Sequence, residues 1–104
     1  MNASQHLTLF NLLHDIHNAG LSQNQVRTLA LLFVGPENLT AISAGLGIST
    51  AAVTEIADAL EGHGLAARTR GRDRRVITLS ITPAGIERLE TFSRYLRPLN
   101  APAA

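Results

Sequence analysis

Five arginines fall within eight residues, at Arg68, Arg70, Arg72, Arg74 and Arg75. The chain's nine basic residues are all arginine, yet its formal net charge is only +1. A guanidinium is a planar fork of N–H donors that matches phosphate or carboxylate bidentately. Such a cluster is therefore either a solvated surface patch or a device aimed at a polyanion, and the flanking segments decide which. The other residues able to do chemistry point to less. His14 and His17 share a helical face with Asp15 between them and His6 upstream, a spacing that permits metal ligation. They read as solvated or interface histidines, and His63, flanked by glycines, as a turn residue. Glu87 and Glu90 stand beside Arg88 and Arg94, which makes them a solvated face and not an acid–base pair. The chain lacks cysteine, which removes disulfides, thiolate nucleophiles and thiol redox sensing together. A Gly-rich phosphate loop, a Ser-His-Asp order and a zinc motif are all missing. The expectation is no enzyme, no cofactor and no metal.

With 104 residues, 45% of them apolar, the chain is long enough for one domain and too apolar to be wholly disordered. A core of this size is modest, so self-association would add to it. The N-terminus lacks a basic n-region with a long apolar run, and no apolar run approaches the roughly 18 residues of a membrane span. These features lead us to expect a soluble cytoplasmic protein with no membrane partner. The expected organisation is a single domain over 1–97 and a flexible tail over 98–104.

The elements that must position the arginines follow from periodicity. Leu7–Ala19 reads as a first helix, with Leu9, Leu12, Leu13 and Ile16 on one face and Leu7 and Phe10 elsewhere. A helix apolar on more than one side needs two partners, its own domain and a second surface. Ser22 with Gln25 forms a capping box at the start of a second helix, whose stripe is Val26, Leu29, Leu32 and Phe33. Gly35–Asn38 breaks the chain, and Asn38 caps a short third helix carrying Leu39, Ile42 and Leu46. Gly47 turns the chain, and Ser49 caps a fourth helix that runs to about Glu61. Its inner face is Val53, Ile56, Ala57 and Leu60. Its outer face is Thr50, Ala51, Thr54, Glu55 and Asp58, small near the N-terminal end. Leu65–Arg68 and the alternating Val76–Thr82 read as two strands of a hairpin with the arginines between them. Thr82-Pro83 opens a last helix with Ile86, Leu89, Phe92 and Leu96 on one stripe, and Pro98 stops it.

A short helix, a tight turn and a capped helix with a small outer face is the helix-turn-helix plan, and a hairpin directly after it makes a winged helix. The fourth helix then suits a major groove. The arginines suit phosphate or the narrow minor groove beside it. Thr50, Ala51 and Thr54 can meet thymine methyls, and Glu55 can accept from cytosine N4. Ser49 is a cap whose helix N-terminus can receive a phosphate. Arg27 and Gln25 are further candidates for backbone contact. Arg74 and Arg75 cannot both point the same way from a strand edge, so one is expected to pair with Asp73.

"LGISTAAVTEIADALEGHGL" followed by "DRRVITLSITPAG" resembles the MarR family of bacterial transcription regulators. The matching residues are Leu46–Ser49, Ala52–Thr54, Leu60–Leu65, Asp73–Arg75 and Ile81–Gly85, with Leu21–Leu29 similar to the family's second helix. The resemblance covers roughly Leu21 to Glu90. It implies a winged-helix fold, operator DNA as partner, and a symmetric homodimer built from helices of both chain ends. The chain departs from the family at position 55, where Glu stands in place of a frequent basic residue. Its wing is about one residue shorter, and the absence of Cys separates it from the family's peroxide sensors.

The expectation is thus a mainly α (α+β) winged helix-turn-helix. Residues 21–82 would form the DNA-binding core, and 1–19 and 83–97 the dimerisation helices. It would be a homodimeric repressor holding double-stranded DNA at a near-palindromic operator through recognition helix 49–61 and wing 69–75. The DNA-contacting residues would be Ser49, Thr50, Ala51, Thr54, Glu55, Arg68, Arg70, Arg72, Arg74 and Arg75. The dimer interface would be Leu7, Leu9, Phe10, Leu13, Ile16, Leu89, Phe92 and Leu96. A small-molecule effector is left unassigned. Two alternatives use the same fold: a protein-interaction module that reads no DNA, favoured by the acidic residues of the fourth helix, and a replication or mobile-element control protein.

Overall fold

The computed structural model describes residues 1–72 and 75–97. Five helices and three short strands follow one another as α1 (Ala3–Asn18), α2 (Gln23–Val34), β1 (Glu37–Asn38), α3 (Leu39–Leu46), α4 (Thr50–Gly62), β2 (Ala66–Arg70), β3 (Ile77–Ile81) and α5 (Pro83–Ser93). Asp73, Arg74 and the tail 98–104 lie outside the described residues, and with them the expected pairing of an arginine with Asp73.

Local chemistry sets the helix starts. The Ser22 hydroxyl accepts from the Gln25 N–H while the Gln25 side chain accepts from the Ser22 N–H, the reciprocal capping box expected. Asn38, Ser49 and Thr82 cap α3, α4 and α5 through a single side-chain bond each, accepting from the N–H of Ala41, Ala52 and Gly85, and Pro83 holds the first turn of α5. Helix α1 begins earlier than its apolar spacing indicates, at Ala3 and not Leu7. A second capping box, Asn2 with Gln5, satisfies the first-turn N–H groups and carries the helix four residues upstream. Helix α5 in turn stops at Ser93, short of the stripe drawn to Leu96. The chain turns at Arg94–Tyr95, where the Tyr95 hydroxyl donates to the Asp15 carboxylate of α1.

The sheet has one strand more than the hairpin expected. Strand β1 pairs antiparallel with β3, Glu37 opposite Leu79 and Asn38 opposite Thr78, so the order is β1-β3-β2. Two residues after a Gly-Pro break carry no alternation to read, which is why the sequence conceals this strand. The hairpin itself runs in register from Ala66 opposite Ile81 to Arg70 opposite Ile77. Thr69 and Arg70, assigned to the wing loop by spacing, therefore lie on β2.

Leu29, Leu32, Ile42, Val53, Leu60 and Leu79 are fully buried and form the centre of the core, where α2, α3, α4 and β3 meet. Ile16 and Phe92, expected at a dimer interface, are only 6% and 5% exposed and belong to the chain's own core. Leu89 packs against that core partly buried. Leu9 and Leu13 are half-buried, whereas Leu7 and Phe10 are each 61% exposed and Leu96 is exposed beyond α5. Gly85, in the first turn of α5, is buried against the Leu65 backbone just before β2 and the Ile81 side chain of β3. A Cβ there would lie 2.2 Å from the Leu65 carbonyl oxygen and 2.7 Å from Ile81 Cγ1. The missing side chain lets Thr82 bond both sides of the approach, its N–H to the Leu65 carbonyl at 3.1 Å and its hydroxyl to the Gly64 carbonyl at 2.7 Å. Among the described residues no single helix is long and apolar enough to cross a membrane.

Candidate nucleic-acid interface

Helices α3 and α4 bend by 109° across the turn Gly47-Ile48-Ser49. A helix-turn-helix joins its two helices at roughly 90–120° through a turn of three to four residues. Gly47 makes this turn with φ at +69°, the left-handed region that favours glycine. The Ser43 carbonyl accepts from the N–H groups of Gly47 and Ile48, closing the end of α3. The Ser43 hydroxyl donates to the Ile48 carbonyl and fixes the turn from inside. Arg27 adds a staple from α2: its guanidinium donates to Asn24 within the helix and, at 3.3 Å, to the Leu46 carbonyl at the end of α3. The sequence offered Arg27 and Gln25 as backbone contacts. Gln25 is used in the capping box and Arg27 in this staple, a role no local pattern could signal because its partner lies 19 residues away.

Helix α4 divides as expected. Val53, Ile56, Ala57 and Leu60 are buried, and Thr50, Ala51, Thr54, Glu55 and Asp58 are exposed. Ser49 is exposed, and its hydroxyl accepts from the Ala52 N–H as an N-cap. The Thr54 hydroxyl donates to the Thr50 carbonyl. Its proton is thus committed to the backbone, and the methyl group and oxygen lone pairs are what remain for a ligand.

The arginines separate into two uses. Arg70, Arg72 and Arg75 are exposed at the end of the hairpin, Arg70 closing β2 and Arg75 preceding β3. Between the latter and the start of α3 runs a shallow groove of about 440 Å³, lined by Arg75, Val76, Ile77, Asn38, Thr40 and Ala44. Arg68 differs from these. It was expected to contact phosphate, but its guanidinium turns onto α4. It donates to Asp58 at 2.7 Å, to Glu61 at 2.8 Å and to the Thr54 carbonyl at 3.2 Å. Its side chain is 24% exposed against 65% for Asp58 and 36% for Glu61. The hydrogen bond with Asp58 is the main cause that raises the Arg68 pKa above its ordinary value, against the opposing effect of burial. Asp58 was legible as an outer-face residue and Glu61 as the helix end. Their shared partner was not, because it arrives only when β2 crosses back over the helix.

Comparison with known proteins agrees with this geometry. The MarR family model matches residues 21–77. The crystal structure of the YusO protein from Bacillus subtilis is similar at 30% identity with a TM-score of 0.82, over 93% of this chain and 70% of that one. The transcriptional regulator BldR from Sulfolobus solfataricus is similar at 25% identity and TM-score 0.71, over 95% of this chain and 82% of that one. MepR of S. aureus, crystallised as a complex with DNA, shares the fold at 19% identity and TM-score 0.77, over 92% of this chain and 78% of that one. Comparison with curated protein sequences gives no match. The 109° turn, the arginine-bearing hairpin and the matched segment lead to one assignment: the chain belongs to the MarR family of winged-helix transcription regulators.

Proposed function

We propose that this protein is a DNA-binding transcription regulator that acts as a homodimeric repressor on a near-palindromic operator, in the cytoplasm. The observation that carries the reading is one continuous surface. The outer face of α4 presents Thr50, Ala51, Thr54 and Glu55, and β2, bound to α4 through Arg68, runs on to exposed Arg70 and Arg72. Small and hydroxyl-bearing residues on a helix suit base edges in a major groove. Arginines on the adjoining hairpin suit phosphate or the minor groove. The MepR–DNA complex, which has the same fold, supports nucleic acid as the ligand.

The features of α1 support the homodimer. This helix has 16 residues, of which only Ile16 is buried, and it exposes Leu7 and Phe10. Isolated helices of about this length are marginal in water without a packed face. A second copy laid against α1 and the Leu96 end of the chain supplies one. Two α4 helices would then enter successive major grooves about 34–36 Å apart. The domain expected over residues 1–97 serves as the unit of this assembly.

Selection of bound duplexes from a random pool by the purified protein, with its solution mass measured alongside, tests the proposal. Enrichment of an inverted repeat by a dimer is expected; no enrichment, or a monomer at binding concentrations, overturns it. The competing protein-interaction module drew its support from the acidic residues of α4. Two of those carboxylates are ion-paired to Arg68, which weakens that reading.

A further inference from the structure

Helix α4 carries Glu55, Asp58 and Glu61 and no basic residue. A helix with that charge, directed at a phosphate backbone, repels its own ligand. Arg68 lies at hydrogen-bond distance from two of the three carboxylates, and its remaining contact is the Thr54 carbonyl, one helical turn before Asp58. Resting on the DNA-binding reading, we propose that Arg68 is a positioning residue acting through α4: it discharges the acidic flank of the reading helix, while Arg70 and Arg72 meet the nucleic acid.

A guanidinium has five N–H donors in a fixed fork and can serve two carboxylates and a carbonyl at once; a lysine ammonium has no such fork. Arg68 extends from β2 across the side of α4, and its side chain is the least exposed of the three partners. To reach phosphate it would have to abandon both carboxylates and leave them uncompensated beside the same phosphate. The contact to the Thr54 carbonyl holds the guanidinium in place beside the two carboxylates. A network around one shared arginine also differs from a lone surface pair, which contributes little.

The experiment measures affinity for the selected duplex across a salt series for the wild type, Arg68→Ala, and the triple variant Arg68→Ala with Asp58→Asn and Glu61→Gln, with Arg72→Ala as the reference for a direct contact. Circular dichroism confirms the helical fold of each. Loss of one member of a coupled network predicts binding weakened about tenfold in Arg68→Ala. The triple variant, which no longer needs a neutraliser, is expected to bind within about threefold of the wild type, inside the usual error of additivity. Its log–log salt slope should equal that of the wild type, whereas a lost phosphate contact lowers the slope by about one. A triple variant that remains about tenfold weak with the lowered slope makes Arg68 a phosphate ligand and overturns the inference. This comparison of the triple variant with the wild type stands even if Arg68→Ala alone does not fold. If the wild type itself binds no duplex, the DNA-binding reading falls and the inference with it; a binding wild type with a weak triple variant removes the inference alone.

Discussion

Replacing Gly85 by alanine separates two opposed physical expectations. Helix propensity alone predicts a gain, because Gly inside a helix is about 1 kcal/mol worse than Ala. The structure predicts a loss. The new methyl would stand 2.2 Å from the Leu65 carbonyl oxygen, 3.1 Å from its carbonyl carbon and 2.7 Å from Ile81 Cγ1. Two of these three atoms are backbone, so a rotamer change cannot relieve the clash. The first turn of α5 has to retreat by about 1 Å, an overpacking displacement that costs about 1–3 kcal/mol. That retreat also stretches the two Thr82 bonds to the Gly64 and Leu65 carbonyls, each worth about 1 kcal/mol. Set against the propensity gain, the net is about 2 kcal/mol of destabilisation, or a melting temperature lower by about 10 °C for a chain of this size. Thermal melts followed by circular dichroism, at matched chain concentration because self-association moves the midpoint, provide the assay. Gly62→Ala is the internal control: it ends α4 with open space around it and should be neutral or stabilising by about 0.5 kcal/mol. A Gly85→Ala melting temperature equal to or above the wild type would refute the packing argument.

Three further outcomes follow from the same structure. The pair Arg70→Ala, Arg72→Ala should weaken duplex binding at every sequence and lower the log–log salt slope by about two, one per lost phosphate contact; an unchanged slope removes both from the interface. Phe10→Glu, at a position 61% exposed, should leave the helical signal intact and shift the solution mass from dimer to monomer at micromolar concentration, as sedimentation or light scattering would read. Ser22→Ala removes one half of the α2 capping box and should cost about 1 kcal/mol, the usual value for such a cap, or about 4–8 °C in the same melt; a shift under about 2 °C argues against the cap.

The sequence announced those parts of the fold that are written locally. Ser22, Asn38, Ser49 and Thr82 are caps wherever they stand before an apolar stripe, and Gly47 marks a turn by type alone. The inner face of α4 was legible for the same reason, since Val53, Ile56, Ala57 and Leu60 repeat at helical spacing. What escaped depended on chain segments meeting after long excursions. The β1 strand exists because β3 offers it a ladder, and Glu37 and Asn38 have no pattern of their own. Spacing puts Arg68 on the strand, apart from Arg70 and Arg72 of the wing, yet leaves it among the candidates for phosphate. Only the packing of β2 beside α4 shows that its guanidinium is taken by Asp58 and Glu61. Ile16 and Phe92 were given to an interface because apolar stripes do not state which of two surfaces will cover them. The missed Asn2–Gln5 capping box is a different case. Asn2 and Gln5 have the spacing of a capping box in plain form, but they stand upstream of Leu7, where the apolar spacing begins.

Asn38 does two things at once: its backbone pairs with Thr78 of β3, and its side chain caps α3 through the Ala41 N–H. No spare residue separates the sheet edge from the helix, so an insertion there would break one joint or the other. The hairpin end is the opposite. Arg70 opposite Ile77 is the last pair of the hairpin ladder, so the β2–β3 pairing does not depend on what lies beyond it. The chain length is therefore fixed at the Asn38 joint, whereas the hairpin ladder ends before the loop that carries Arg72. On the proposed reading, a longer loop would extend the reach of the arginines along DNA, while the angle at which α4 is presented stays as it is.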